Sequence, residues 1–149
     1  MAYAREGQII QFPFLFMNDT RKIFNSLISK NPKIKIASLG YDLMSFDRSE
    51  ECKKQISQYF PGPLFIFRKL FIETITRIFK QMEKEYPKNF IYVPVWGTLQ
   101  KNGGIQNTPN IFYCSPAKYF RDCIHPNDDG YSILMKYFLT KLNERGFFQ

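Results

Sequence analysis

Two short apolar runs on either side of a long helical pattern limit the folds open to this 149-residue chain. Residues 34–39 are rich in β-branched side chains and end at a glycine, and residues 90–95 read Phe-Ile-Tyr-Val-Pro-Val. Both runs are typical of strands, although Pro94 favours an edge position for the second. Between them, residues 64–85 repeat apolar side chains at intervals of three and four, which predicts an amphipathic helix. Strands joined by a helix favour a parallel sheet, so we expect an α/β fold.

The N-terminal part has weaker patterns. Residues 9–16 are apolar and rich in phenylalanine, which predicts a strand, and Pro13 confines that strand to an edge or an irregular segment. Residues 20–30 place their apolar side chains on one helical face, and Asn18 or Asp19 can cap that helix.

Composition indicates one ordinary globular domain over residues 1–149. Hydrophobic residues make up 44% of the chain and charged residues 23%, which excludes a disordered chain. Lysine and arginine number 21 against 13 acids, and a net charge of +8 favours anionic ligands or partners. The basic residues are spread along the chain in no block longer than Lys53-Lys54, so we expect a patch-free basic surface and no nucleic-acid partner.

The cysteines give no metal-binding pattern. Cys52, Cys114 and Cys123 lack the spacing of a zinc site, and we expect neither a metal nor another cofactor. Cys114 and Cys123 could close a short loop in an exported protein, but reduced, buried thiols are the favoured interpretation. No eighteen-residue apolar window suggests a transmembrane segment, and charges and a proline make the first seventeen residues a poor signal peptide. The sequence predicts a soluble protein and leaves its compartment unknown.

His125, the single histidine, lies in the segment Asp-Cys-Ile-His-Pro-Asn-Asp-Asp-Gly-Tyr at residues 122–131. It follows Asp122 by three residues and precedes a proline and a helix start, which restrict its backbone. A histidine that acts as a general base needs a carboxylate on one ring nitrogen, which leaves the other nitrogen for the nucleophile. Asp122 and His125 are therefore candidate catalytic residues, with ordinary loop residues as the alternative.

This segment resembles the last conserved block of the SGNH (GDSL-type) hydrolases, in which Asp-x-x-His-Pro precedes a polar pair, a glycine and an aromatic residue. Residues 34–44 resemble the family's penultimate core strand and its Gly-Tyr loop, and residues 92–99 resemble the final strand and a Gly-Thr-Leu turn. The resemblance covers about residues 31–143. It implies a three-layer α/β/α, flavodoxin-like parallel sheet without its N-terminal strands. It also implies a serine ester hydrolase, esterase-like or lipase-like, acting on a small-molecule ester.

The resemblance does not extend to a nucleophile. The family's serine lies in a Gly-Asp-Ser context after the first strand, and none of the eight serines here has that context. Asn18 is the candidate for the family's oxyanion asparagine, and a helix cap is its alternative role. Tyr41 and Asp42 follow the first strand, where open α/β sheets place ligands, and with Trp96 they are candidate pocket residues.

Two functions remain open at this point, with nucleic-acid binding driven by the net charge of +8 as a third and weaker option. The chain is either an ester hydrolase that lacks its nucleophile and is inactive alone, or a non-catalytic interaction module on the same scaffold. In both cases the missing strands would leave an open apolar sheet edge, which we expect a partner chain or a second copy to cover.

Overall fold

The computed structural model describes residues 8–58, 60 and 62–149, with the side chains of residues 8–12 and 47 left aside. In chain order the elements are α1 (Gln8–Lys30), β1 (Ile36–Leu39), α2 (Glu50–Ser57), α3 (Leu64–Glu85), β2 (Phe90–Val93), α4 (Thr98–Asn102) and α5 (Asp128–Glu144). Short 3-10 turns lie at Phe46–Arg48 and Ala117–Tyr119.

The two strands form a parallel pair, as the sequence predicts. Ile36 lies opposite Phe90 and Leu39 lies opposite Val93. Side chains alternate between the two faces of a strand, so Phe90 packs in a cluster with α1 and α3, while Val93 packs in another with α5. Both faces are covered by helices, which agrees with the predicted α/β class.

The N-terminal helix α1 corrects the prediction of a strand over residues 9–16. Pro13 lies within this helix rather than in an edge strand. Phe24 of α1 is buried and its ring lies 4.8 Å from that of Phe90, centroid to centroid. The aromatic run that suggests a strand is therefore part of a helix whose position depends on distant partners.

A disulfide joins Cys52 of α2 to Cys123 in the loop that carries His125. The preference for reduced thiols is wrong for Cys52 and Cys123, and the possible pairing of Cys114 with Cys123 is wrong as well. The bonded residues are 71 positions apart, so local spacing holds no signal for the bond. Packing of α2 against the start of α3 brings them together in a cluster with Phe46. Cys114 takes no part in this bond, and its sulfur accepts a hydrogen bond from Arg68 at 3.1 Å.

The outer edge of β2 is closed by two side chains. Glu83 accepts a hydrogen bond from the Tyr92 backbone N–H at 3.1 Å, and Arg145 donates to the Tyr92 carbonyl at 2.9 Å. Arg145 and Glu83 also form an ion pair. These contacts occupy the outward backbone groups of Tyr92, with which a further strand would pair.

The outer edge of β1 is open. Ile36 and Gly40 donate their N–H groups to the β2 side, to Asn89 at 2.6 Å and Val93 at 2.9 Å. Alternate residues of a parallel strand face opposite neighbours, so the N–H groups of Ala37 and Leu39 point to the other edge. No residue in the described part of the chain accepts a hydrogen bond from either group there.

None of the helices within the described residues combines the length and the apolar character needed to cross a membrane.

Candidate active site around His125

The loop before α5 fixes the backbone of His125 on both sides. An antiparallel bridge pairs Phe120 with Pro126, and the Arg121 N–H donates to the His125 carbonyl at 3.1 Å. Asn127 then caps α5 with its side chain. The predicted helix start is therefore confirmed, and together with the bridge it fixes the position of the His125 Cα atom.

Close packing requires the glycine at position 130 of this segment. A Cβ atom at this position would overlap the carbonyl oxygen of Tyr119, and it would also lie 2.9 Å from the Pro126 Cβ atom. The close approach of the loop to the first turn of α5 thus requires a residue without a side chain.

Asp122 binds His125 through both of its carboxylate oxygens. Oδ2 lies 2.8 Å from the imidazole Nδ1, while Oδ1 accepts the backbone N–H groups of His125 at 2.6 Å and Ile124 at 2.8 Å. Desolvation raises the pKa of Asp122, but these hydrogen bonds outweigh it and lower the pKa to about 2. At neutral pH the ionised carboxylate favours the tautomer with the proton on Nδ1, so Nε2 is free to act as a base.

A cavity of about 230 Å³ lies beside the imidazole. The carboxyl end of β1 and the following loop contribute Leu39, Tyr41 and Asp42, and α5 contributes Tyr131 and Leu134. About half of the His125 side chain, 49%, is exposed, so the ring is not sealed within packed side chains. The structure therefore brings Tyr41, Asp42 and the Asp122–His125 pair to one place, as predicted for a ligand site.

No family model, curated protein or solved structure matches the chain. The interpretation of the site therefore depends on its geometry and on the motif at residues 122–131.

Asp42 has a structural role that sequence reasoning missed. Its buried carboxylate accepts the backbone N–H groups of Leu43 at 2.6 Å, Gly97 at 2.7 Å and Leu99 at 2.7 Å, and the Ser115 hydroxyl donates to it at 3.4 Å. Burial raises the pKa of Asp42 to about 6, against the effect of these four hydrogen bonds. The side chain thus joins the segments that follow β1 and β2, and only a long-range contact reveals this.

Two other candidates lie away from the His125 cavity. Trp96 lines a second cavity along α3, of about 400 Å³. Asn18 is exposed within α1 and is not a cap, and its side-chain oxygen accepts a hydrogen bond from Arg21 at 3.3 Å. The assignments of Trp96 to the pocket of His125 and of Asn18 to an oxyanion hole are therefore corrected.

Two supports of the His125 loop come from far along the chain. Arg48 donates to the Phe120 carbonyl at 2.7 Å, and Cys52 holds the loop through its disulfide to Cys123. Local sequence patterns predict neither contact, because Arg48 and Phe120 are 72 residues apart and Cys52 and Cys123 are 71 residues apart.

No serine or cysteine is among the described residues that line the cavity. Its hydroxyl groups belong to Tyr41 and Tyr131, while Ser45 and Ser115 are buried elsewhere. Within the described part of the chain, no cluster of three or more histidine, cysteine or acidic residues could hold a metal ion.

Proposed function

We propose that this chain supplies the histidine and aspartate of an SGNH-type serine ester hydrolase site. The observation that carries the proposal is the 2.8 Å contact between His125 Nδ1 and Asp122 Oδ2 beside a cavity of about 230 Å³. The motif at residues 122–131 supports the family assignment. The proposed scaffold is the three-layer, flavodoxin-like sheet, in which further strands pair with the open edge of β1.

The mechanism follows from the two ring nitrogens. Asp122 holds Nδ1–H, so Nε2 accepts the proton of a hydroxyl that attacks the ester carbonyl. The carboxylate then stabilises the imidazolium, which returns the proton to the leaving alcohol. A cavity below the usual range of about 300–1,000 Å³ for ligand sites favours a short acyl group. Because the described lining lacks a nucleophile, the attacking serine comes from a partner strand or another segment, and the chain alone needs a supplied hydroxyl.

We expect the chain alone to transfer the acyl group of p-nitrophenyl butyrate to added methanol. The ester C–O bond breaks, a methyl ester forms, and the methanol proton passes through Nε2 to p-nitrophenolate. His125→Gln should reduce the rate about 10²-fold. This is the lower end of the range for general-base catalysis, and we expect the lower end because no site holds the methanol in place. The release of p-nitrophenol and the yield of methyl butyrate measure the reaction.

Asp129→Asn is the matched control for this assay. Asp129 is an exposed acid in the first turn of α5, outside the cavity lining, and its loss should leave the rate within about twofold. Equal methyl butyrate yields from the wild type and His125→Gln would contradict the proposal.

The tautomer of His125 provides a second test that needs no substrate. We expect ¹⁵N NMR of the neutral imidazole to show the proton on Nδ1 in the wild type, since Asp122 accepts it. His125 is the single histidine, so its ring signals need no assignment by mutation. Asp122→Asn should shift the population toward protonated Nε2, while Asp129→Asn should not. An unchanged spectrum in Asp122→Asn would show that the carboxylate does not orient the ring.

A non-catalytic interaction module is the second candidate. The cavity lining favours it, because no described residue there is a serine or cysteine. On this hypothesis β1 binds a partner strand, and neither a serine-directed fluorophosphonate nor the methanol assay detects a reaction that depends on His125. Stoichiometric labelling of a serine would exclude it.

A further inference from the structure

We propose that the 400 Å³ cavity between α3 and Trp96 binds a nucleoside phosphate, with the base against the indole and the phosphates along the helix. This site is independent of the proposed ester hydrolase function, because the residues that line it do not overlap with those around His125.

Three cationic side chains form one wall of this cavity. Arg77, Lys80 and Lys84 lie three and four positions apart, so they share a face of α3. At a rise of about 1.5 Å per residue they span about 10 Å, which suits the charges of a di- or triphosphate. The expectation of a patch-free basic surface is thus corrected, because helical spacing gathers charges that look dispersed in the sequence.

The three cations are available to a ligand. Within the described part of the chain, the side chains of Arg77, Lys80 and Lys84 have no ion pair or hydrogen-bond partner. Glu73 is the acid among the described lining residues, and its Oε1 atom lies 3.9 Å from Nζ of Lys69 rather than beside one of the three cations. Charge-assisted hydrogen bonds make such groups effective phosphate ligands.

Trp96 gives the cavity an aromatic wall beside the cations. Its side chain is half-buried, and none of the described aromatic rings stacks on it. Ile72, which is buried, adds an apolar surface. A planar base can stack on an indole, an interaction worth about 1–3 kcal/mol per base. One aromatic residue and three cations in about 400 Å³ suit a single nucleotide better than a polymer, which needs a longer track of both.

The position of Trp96 makes the proposal directly measurable, because it is the single tryptophan of the chain. We expect ADP to quench its fluorescence saturably at low ionic strength, and inorganic tripolyphosphate to compete. Adenosine should bind at least about 10-fold more weakly than ADP, because it lacks the charged contacts.

Lys80→Gln should weaken ADP binding about 10-fold, the effect of one lost charged contact. Lys136→Gln is the matched control, since it removes the same charge from an exposed position of α5 outside the cavity. Circular dichroism confirms that both variants fold. Three results would overturn the proposal: no quenching by ADP, equal weakening in the two variants, or tight binding of an oligonucleotide without binding of ADP.

Discussion

Asp42→Ala is expected to lower the free energy of unfolding by about 4 kcal/mol. Three buried backbone N–H groups, of Leu43, Gly97 and Leu99, lose their acceptor together with the Ser115 hydroxyl. Each unsatisfied buried donor costs about 1–3 kcal/mol, and water that enters the vacated space offsets part of the sum. Urea denaturation followed by far-UV circular dichroism measures the change.

Asp42→Asn and Asp129→Ala separate this effect from a general loss of charge. Asparagine keeps one acceptor oxygen, so Asp42→Asn should cost about half as much as the alanine variant. Asp129 is exposed, and its replacement should cost less than about 1 kcal/mol. A cost below about 1 kcal/mol for Asp42→Ala would show that the carboxylate does not join the two segments.

The same carboxyl group predicts how stability changes with pH. Burial raises its pKa from the ordinary 3.8 to about 6 in the folded state, so deprotonation is harder there than in the unfolded chain. The protonated carboxyl group therefore adds its full share to the free energy of unfolding below pH 3.8. This share is lost as the pH rises through about 6, and the free energy of unfolding falls by roughly 3 kcal/mol. Asp122 and Glu85 change stability in the opposite direction, because their pKa values are lowered to about 2 in the folded state. Their contribution to the free energy of unfolding is lost as the pH falls toward 2, mainly below the range in which Asp42 titrates. Asp42→Asn should remove the slope between about pH 4 and pH 6.

Sequence patterns over short stretches of the chain were enough to predict α3, the Asp122–His125 pair and the parallel pairing of β1 and β2. The bounds of α3 agree with the prediction for residues 64–85, because apolar periodicity fills the helix and prolines stand just outside it. Asp122 and His125 could be paired from the sequence, since three residues and one loop turn separate them. The parallel pairing of β1 and β2 likewise follows from the helix between them.

Long-range contacts account for what the sequence did not predict. The strand expected at residues 9–16 is helical, and Phe24 of the same helix is buried against Phe90. Trp96 lines the cavity along α3 because α3 packs beside the end of β2, a contact that no spacing encodes. The role of Asp42 depends on N–H groups more than fifty residues away. Each of these features is set by packing rather than by local propensity.

Removal of the Cys52–Cys123 disulfide is expected to lower the free energy of unfolding by about 4 kcal/mol. The bond joins residues 71 positions apart, and a cross-link over a loop of this length restricts the unfolded chain by roughly that amount. The double variant with serine at both positions tests this in urea, and reduction of the wild type should give the same loss. Cys114→Ser is the control, because the Cys114 thiol lies outside the Cys52–Cys123 bond.

The bond should matter for the site as well as for stability, because Cys123 lies between Asp122 and His125 in the loop. Without it, Arg48 and the bridge between Phe120 and Pro126 still hold the loop. We therefore expect the proton of the neutral imidazole to stay on Nδ1 in the folded double variant. Equal stability of the double variant and the wild type would show that the bond does not restrict the unfolded chain. Loss of the Nδ1 tautomer would show that the disulfide, rather than Arg48 and the bridge, positions His125 for Asp122.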